Sequence, residues 1–191
     1  TVGGTYDYSD LGCTHHCYGD ITLMRTIPNM EIYEPSTPQE FEQLFTKTWG
    51  NGNPKYFRLS AHTHNQTFDV LPGELNVVRN SLNGKWVFVS GHLLDDVLID
   101  SEVGIIYVST LSHISDKSKE IIKKLIKDSC IYSVENHFKV GGLGDLISDT
   151  FDVKVNKIGL NREFITEYGD YEDLRTISKM DTKSILERIK C

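Results

Sequence analysis

Residues 10–35 read DLGCTHHCYGDITLMRTIPNMEIYEP. The stretch opens on a glycine, a threonine and two adjacent imidazoles: Gly12, Thr14, His15 and His16. An apolar helical pattern comes next, with Ile21, Met24 and Ile27 at three-residue steps and Leu23 four residues before Ile27. Thr14 offers an N-cap side chain for a helix over about residues 17–26. Pro28 ends that helix, and the short apolar run 30–33 predicts a strand. Imidazoles on a tight loop at a helix start, followed by a return strand, point to a catalytic or binding loop on an α/β sheet.

Working outward, Thr37 predicts a second N-cap, with Pro38 in the first turn and Glu40 three residues on. Phe41, Leu44 and Phe45 make the expected inner face of that helix, which runs to about Trp49-Gly50. The Gly- and Asn-rich run 50–54 is a loop, and 56–60 a short strand. From residue 61 to 76 there is no period, only His62, His64, Asn65, Pro72 and Gly73 in a polar setting, which predicts a linker. Beyond it, strands are expected at 86–89, 103–108, 130–134 and 153–160. Helices are expected at 91–99, 116–128, 143–151, 171–178 and 182–189. The 116–128 helix turns Ile121, Ile122, Leu125 and Ile126 inward and its lysines outward. Strands alternating with helices of this length imply an α/β fold of mostly parallel sheets with right-handed crossovers.

The chain has 191 residues, 39% of them hydrophobic and 25% charged, which is ordinary for a globular protein of one large or two small domains. A formal charge of −7 with no basic block argues against nucleic acid or an anionic membrane as partner. No apolar run approaches the roughly 20 residues that span a bilayer, and no signal-peptide pattern is present. Cys13, Cys17, Cys130 and Cys191 form no disulfide framework, so they are expected to be reduced and the compartment cytoplasmic. Two thiols and two imidazoles within residues 13–17 suit zinc chemically. Adjacent histidines do not easily aim at one ion, however, and no second ligand pair is placed to complete a site, so no metal is expected here.

The loop and the segment after it resemble the end of the pyrimidine-binding domain of transketolases. The pattern G-x-T-H-H/Q is met by Gly12, Thr14, His15 and His16. D-I-x-x-x-R-x-I-P-N-M is met by Asp20, Ile21, Arg25, Ile27, Pro28, Asn29 and Met30. The closing strand Y-x-R-L is met at Tyr56, Arg58 and Leu59. The later segments Val134-Glu135-Asn136-His137, Gly141-Gly142-Leu143-Gly144 and Gly159-Leu160…Phe164…Tyr168-Gly169 resemble the transketolase C-terminal domain. The likeness spans essentially the whole chain. It implies three parts: a pyrimidine-type section over 1–61, a linker over 62–80 and a C-terminal-type domain over 81–191.

That resemblance implies a transferase that moves a two-carbon ketol unit between sugars through thiamine diphosphate. His15 would be the catalytic, proton-handling residue, since histidine is the side chain suited to proton movement near neutral pH. Gly12, Thr14, His16 and Arg58 would lie near substrate or cofactor. The residues alone leave a simple helix-capping role for His15 equally open. The glutamate that activates the cofactor, and the domain holding the diphosphate with its Mg or Ca ion, have no counterpart in this stretch. The chain is therefore expected to be incomplete by itself, completed by a missing N-terminal half or partner subunit, as a homodimer or with that subunit. The opening Thr1-Val2-Gly3-Gly4, with no initiator Met, falls inside what the family uses as strand and loop.

Two departures bear on substrate. Leu11 stands where many transketolases carry an acid, with Asp10 one earlier, and Ala61 stands where a second arginine would grip the sugar phosphate. His62 or His64 are stand-ins, or the sugar carries no terminal phosphate. The Gly141–Gly144 segment opening a helix has the look of a phosphate cradle, but tight helix packing explains it better. Asp95, Asp96 and Glu163 are expected on solvated faces or caps. Alternative readings are a deoxyxylulose phosphate synthase or 2-oxo acid dehydrogenase beta-type enzyme on the same scaffold, or a non-catalytic assembly module.

Overall fold

A computed structural model describes residues 3–190. The expectations for Thr1, Val2 and Cys191 lie outside the described residues. The main sheet has the order β3-β5-β4-β6-β7, from strands Leu75–Arg79 (β3), Lys85–Val89 (β4), Gly104–Val108 (β5), Cys130–Phe138 (β6) and Val155–Leu160 (β7). The pairs β4–β5, β4–β6 and β6–β7 are parallel, and only β3, at one edge, is antiparallel.

Buried strands alternate their side chains between two faces, and the packing shows it. Val87 and Val89 of β4 join Ile105, Tyr107, Tyr132 and Val134 on one face, covered by α3 (Leu94–Leu98), α6 (Tyr171–Ile177) and α7 (Thr182–Lys190). Trp86 and Phe88 join Ile106, Val108 and Ile131 on the other, covered by α4 (Asp116–Leu125) and α5 (Leu143–Phe151). Truncating a fully buried ring such as Phe88 to Ala in such a core costs about 3–5 kcal/mol.

The first third of the chain is smaller. Helix α1 (Asp20–Arg25) leads into β1 (Glu31–Tyr33), which pairs in parallel with β2 (Lys55–Phe57) across helix α2 (Pro38–Thr48). This two-stranded sheet has little core of its own. Ile21 and Ile32 share a cluster with Trp86, Ile106 and Leu143, and Tyr33 shares the other with Val89 and Tyr107.

Several local expectations need correction. The helix after the histidine loop starts at Asp20 with Gly19 at its N-cap, and Thr14 hydrogen-bonds its neighbour His15 instead of capping it. Ile27 and Leu23 face outward, leaving Ile21 as that helix's buried apolar residue. Thr37 does cap α2, accepting from the Glu40 N–H at 3.2 Å. Phe45, however, is 46% exposed, because α2 leans its Phe41–Phe45 pair on Phe57 and buries Leu44 and Thr48 deeper. Ile121 is likewise exposed on α4, where Ile122 and, just beyond the helix, Ile126 are buried. The stretch expected as linker, 62–80, carries β3, whose half-buried residues give no clean alternation. Strand β6 runs on to Phe138, past a register shift between Val134 and Phe138 that the sequence does not announce.

Candidate functional site

The histidine loop is a closed ring of chain. Its stems, Thr5 and Cys17, form an isolated antiparallel bridge, each N–H donating to the other's carbonyl at 3.1 Å. Within the loop Gly12 has φ +72°, a left-handed conformation that favours glycine, and the exposed Tyr168 ring lies 3.0 Å from where a Cβ would stand. His15 is exposed, with Nδ1 3.0 Å from the Thr14 hydroxyl. His16 turns the other way: its Nδ1 is 2.6 Å from the Tyr18 hydroxyl, and its ring meets Tyr6 edge-on at 5.5 Å. Burial lowers the His16 pKa, the Ser9 backbone opposes that, and neighbouring His15 adds to it. The structure thus separates the pair, one imidazole toward solvent and one into an aromatic floor of Tyr6, Tyr18 and Tyr171.

Arg58, just past β2, pins the neck of this loop. Its Nη2 donates to the Thr5 hydroxyl at 2.9 Å and to the Cys17 carbonyl at 3.1 Å. Nε donates to Asp20 at 2.8 Å and Nη1 to Glu34 at 2.7 Å, and the side chain is 3% exposed. Burial alone would raise the Asp20 carboxyl, but the Arg58 guanidinium, His137 and the Tyr56 hydroxyl together outweigh that and hold it below the usual carboxylate range. Expected near substrate, Arg58 instead spends its donors on protein groups. The loop stem also reaches the main sheet, since the Thr5 hydroxyl donates to the Asn136 carbonyl of β6.

The Gly141–Gly144 turn is already filled. Glu135 of β6 accepts the Leu143 N–H at 2.6 Å and the Gly144 N–H at 3.0 Å, so a carboxylate of the chain itself sits at the start of α5. Gly142 is required because a Cβ there would overlap Glu135 Oε2 and stand 2.9 Å from His137 Nδ1. Burial raises the Glu135 carboxyl to about 7, against the lowering effect of those two N–H groups.

The remaining expected residues scatter. His64 is buried against Glu40 at 2.8 Å, and Glu40 also accepts from Tyr107 and from the Ser36 N–H, so His64 is no stand-in for a phosphate clamp. His62 stacks on Tyr171 with centroids 3.5 Å apart and stays one-third exposed. At Ala61 the N–H donates to Asp7 at 3.0 Å, and the same carboxylate takes the Ser60 hydroxyl and the Gly4 N–H. Asp96, expected on a solvated face, forms a buried pair with Arg175 at 2.8 Å, while Asp95 accepts from Asn65. Cys13 and Cys17 are half-buried free thiols, and burial, then Asp20, raises the Cys17 thiol. Among the described residues no group of three or more His, Cys, Asp or Glu could hold a metal ion. Thr5, Tyr18, Asn136 and His137 shape the site although no sequence pattern assigns them to it. Only the last two carry any signal, in the Val134–His137 motif.

Fold and site together define an α/β protein that offers a pinned histidine loop beside a mostly parallel sheet. No family model matches the sequence. The chain is 30% identical over 197 residues to an apulose-4-phosphate transketolase subunit of Actinobacillus succinogenes, covering 94% of this chain and 62% of that protein. It is 29% identical over 191 residues to a 1-deoxy-D-xylulose-5-phosphate synthase of Shewanella woodyi, covering 94% and 31%. A solved structure described as "Split gene transketolase, inactive beta4 tetramer" matches with TM-score 0.82 and 17% identity, over 100% of this chain and 64% of that one. The chain spans about three fifths of the length of the curated transketolase subunits it matches, at 62% and 59%. In sequence and in fold the chain is similar to transketolase subunits and transketolases.

Proposed function

We propose that this chain is the C-terminal section, or a separate C-terminal-type subunit, of a transketolase-like enzyme that transfers a two-carbon ketol unit between sugars. The carrying observation is 30% identity to a transketolase subunit across 94% of the chain, with the histidine loop held in a defined frame. An N-terminal section, on the same chain or a partner, completes the enzyme. A relative that is itself one subunit of a transketolase, and a split-gene neighbour whose tetramer is inactive, support a partner requirement. A homodimer of the assembled unit and a cytoplasmic location belong to the same reading. No described helix is long and apolar enough to cross a membrane.

Thiamine diphosphate, when bound, supplies the electron sink that stabilises the transferred carbanion. The residues present fit one wall of such a site: an exposed His15 beside Thr14, on a loop whose neck is bonded shut. The diphosphate and its Mg or Ca ion fall to the N-terminal section. With Nδ1 beside the Thr14 hydroxyl, His15 has Nε2 left to hydrogen-bond a sugar hydroxyl and carry its proton. Gly12 and Thr14 shape the approach, while His16 supports the loop from behind. The backbone donor at Ala61 is taken by Asp7, which favours a sugar held without a phosphate clamp from this chain.

The test mixes the chain with an N-terminal transketolase section and follows thiamine diphosphate and Mg binding by calorimetry and ketol transfer by product analysis. Binding and two-carbon transfer by the mixture, with neither from the chain alone, are expected. A chain that binds the cofactor alone, or a mixture that does neither, defeats the reading. A second reading, a deoxyxylulose phosphate synthase, is favoured by the 29% identity to such an enzyme and differs in its product. Phosphorylated and unphosphorylated ketoses compared in the same assay decide the substrate class.

A further inference from the structure

Helix α1 has six residues and no side-chain cap of its own, since its N-cap is Gly19. So short a helix is marginal in isolation. Both of its ends are tied to residues 137–142, the end of β6 and the turn that follows it. At the N-terminal end the Thr22 N–H donates to Nε2 of His137, 115 residues away, at 3.4 Å. His137 Nδ1 lies 2.8 Å from the Phe138 carbonyl. A carbonyl can only accept, so the neutral ring with its proton on Nδ1, donating to Phe138, leaves Nε2 to accept from Thr22, with the Gly19 carbonyl also beside the ring. Burial, then Arg58, keeps the imidazole neutral, lowering it to about 4. The Thr22 hydroxyl donates to the Val140 carbonyl at 2.6 Å. At the C-terminal end Arg25 Nη1 donates to the Gly141 and Gly142 carbonyls at 3.0 and 2.9 Å.

The strand geometry makes this arrangement possible. Across the register shift in β6, three consecutive residues serve three different partners. Glu135 takes the start of α5, the Asn136 carbonyl takes the Thr5 stem, and His137 takes the start of α1. The histidine loop is held on one side at Thr5 and on the other both by the Phe138 N–H, which donates to the Tyr18 carbonyl at 2.9 Å, and by α1.

We propose that His137 is a positioning residue for the histidine loop: with the Val140–Gly142 carbonyls it clamps α1, and through α1 it sets where His15 stands. The main-sheet unit is then the scaffold of the catalytic loop. Its bearing on catalysis rests on the role proposed above for His15, whereas the clamp itself is measured without any activity.

The experiment is amide hydrogen exchange by NMR on the full chain for H137F and H137Q. Phe removes the acceptor, and Gln restores one. Amides of residues 12–22 are expected to exchange roughly 10-fold faster in H137F and to return close to wild type in H137Q, with β4 and β5 unchanged in both. A folded H137F with wild-type exchange over 12–22, or a folded H137Q that restores nothing, overturns the proposal. Should H137F not fold, R25Q, which frees the other end of α1, is read on the same amides, and unchanged exchange there overturns it equally. In the assembled enzyme H137F is expected to lower kcat about 10-fold with KM within about 2-fold, and H137Q to recover it. If the wild-type assembly shows no ketol transfer, the functional reading fails while the exchange result stands.

Discussion

Thr5 and Cys17 face each other across the neck of the histidine loop, and a single guanidinium, that of Arg58, bonds to both. The loop's position is therefore decided by residues outside it. Stability and activity should accordingly separate on mutation.

His15 is exposed, with Nδ1 beside the adjacent Thr14 hydroxyl. H15N should change thermal stability by no more than about 0.5 kcal/mol. On the function proposed above, it should reduce ketol transfer in the assembled enzyme about 100-fold or more, as loss of a proton-handling group does. Wild-type turnover in H15N would remove the residue from the mechanism.

Arg58 balances Asp20 and Glu34, both themselves buried. R58M leaves these carboxylates facing each other without a cation, a loss of about 3–5 kcal/mol in urea unfolding. The deficit should shrink as pH falls toward 4, where Asp20, buried and freed of the guanidinium, takes up a proton. A deficit of the same size at every pH would show that packing, and not charge, sets it.

Gly142 leaves no room for a methyl group against Glu135 and His137. G142A should cost about 1–3 kcal/mol or more in thermal unfolding, by forcing the Glu135 carboxylate off the start of α5. G50A, at a position with nothing within 4 Å, is the matched control and should be near neutral.

Buried histidines and a buried carboxyl pull the pH dependence of stability in opposite directions. His137 and His92 are lowered by burial to about 4 and about 3 from an ordinary 6.5, so the unfolded chain binds protons first on acidification. Their contribution is complete above pH 6.5 and is lost as pH falls toward those values. Glu135, raised to about 7 by burial, runs the opposite way: its contribution is present below pH 4.5 and lost as pH rises to 7. Two histidines outweigh one carboxyl. Stability should therefore fall from pH 6.5 to 4, and fall more steeply in E135Q, where the opposing group is gone. Urea midpoints across that range check both statements.

Local signals carry the elements whose ends are local. Helix α5 is found at 143–151 as its glycines and apolar spacing indicate, and Thr37 caps α2 as its position predicts. Where the deciding partner lies far along the chain, sequence patterns are silent. Nothing near Thr22 says that a histidine 115 residues away supplies an acceptor for the first turn of α1. Nothing near His64 shows that Glu40 will occupy it. Edge strand β3 is hidden for a different reason, since its residues are half-buried on both faces and its ladder runs antiparallel to the rest. The histidine loop itself is legible as a motif. The opposite orientation of His15 and His16 is not, because it depends on Tyr6 and Tyr18 standing behind the second ring.

Ile21 and Ile32 sit in the same apolar cluster as Trp86, Phe88 and Leu143. Protease nicking in the 61–74 connection should thus yield two pieces that stay together, the first of them unable to refold without the second. That first piece would not serve as a free-standing module for transplantation into another enzyme.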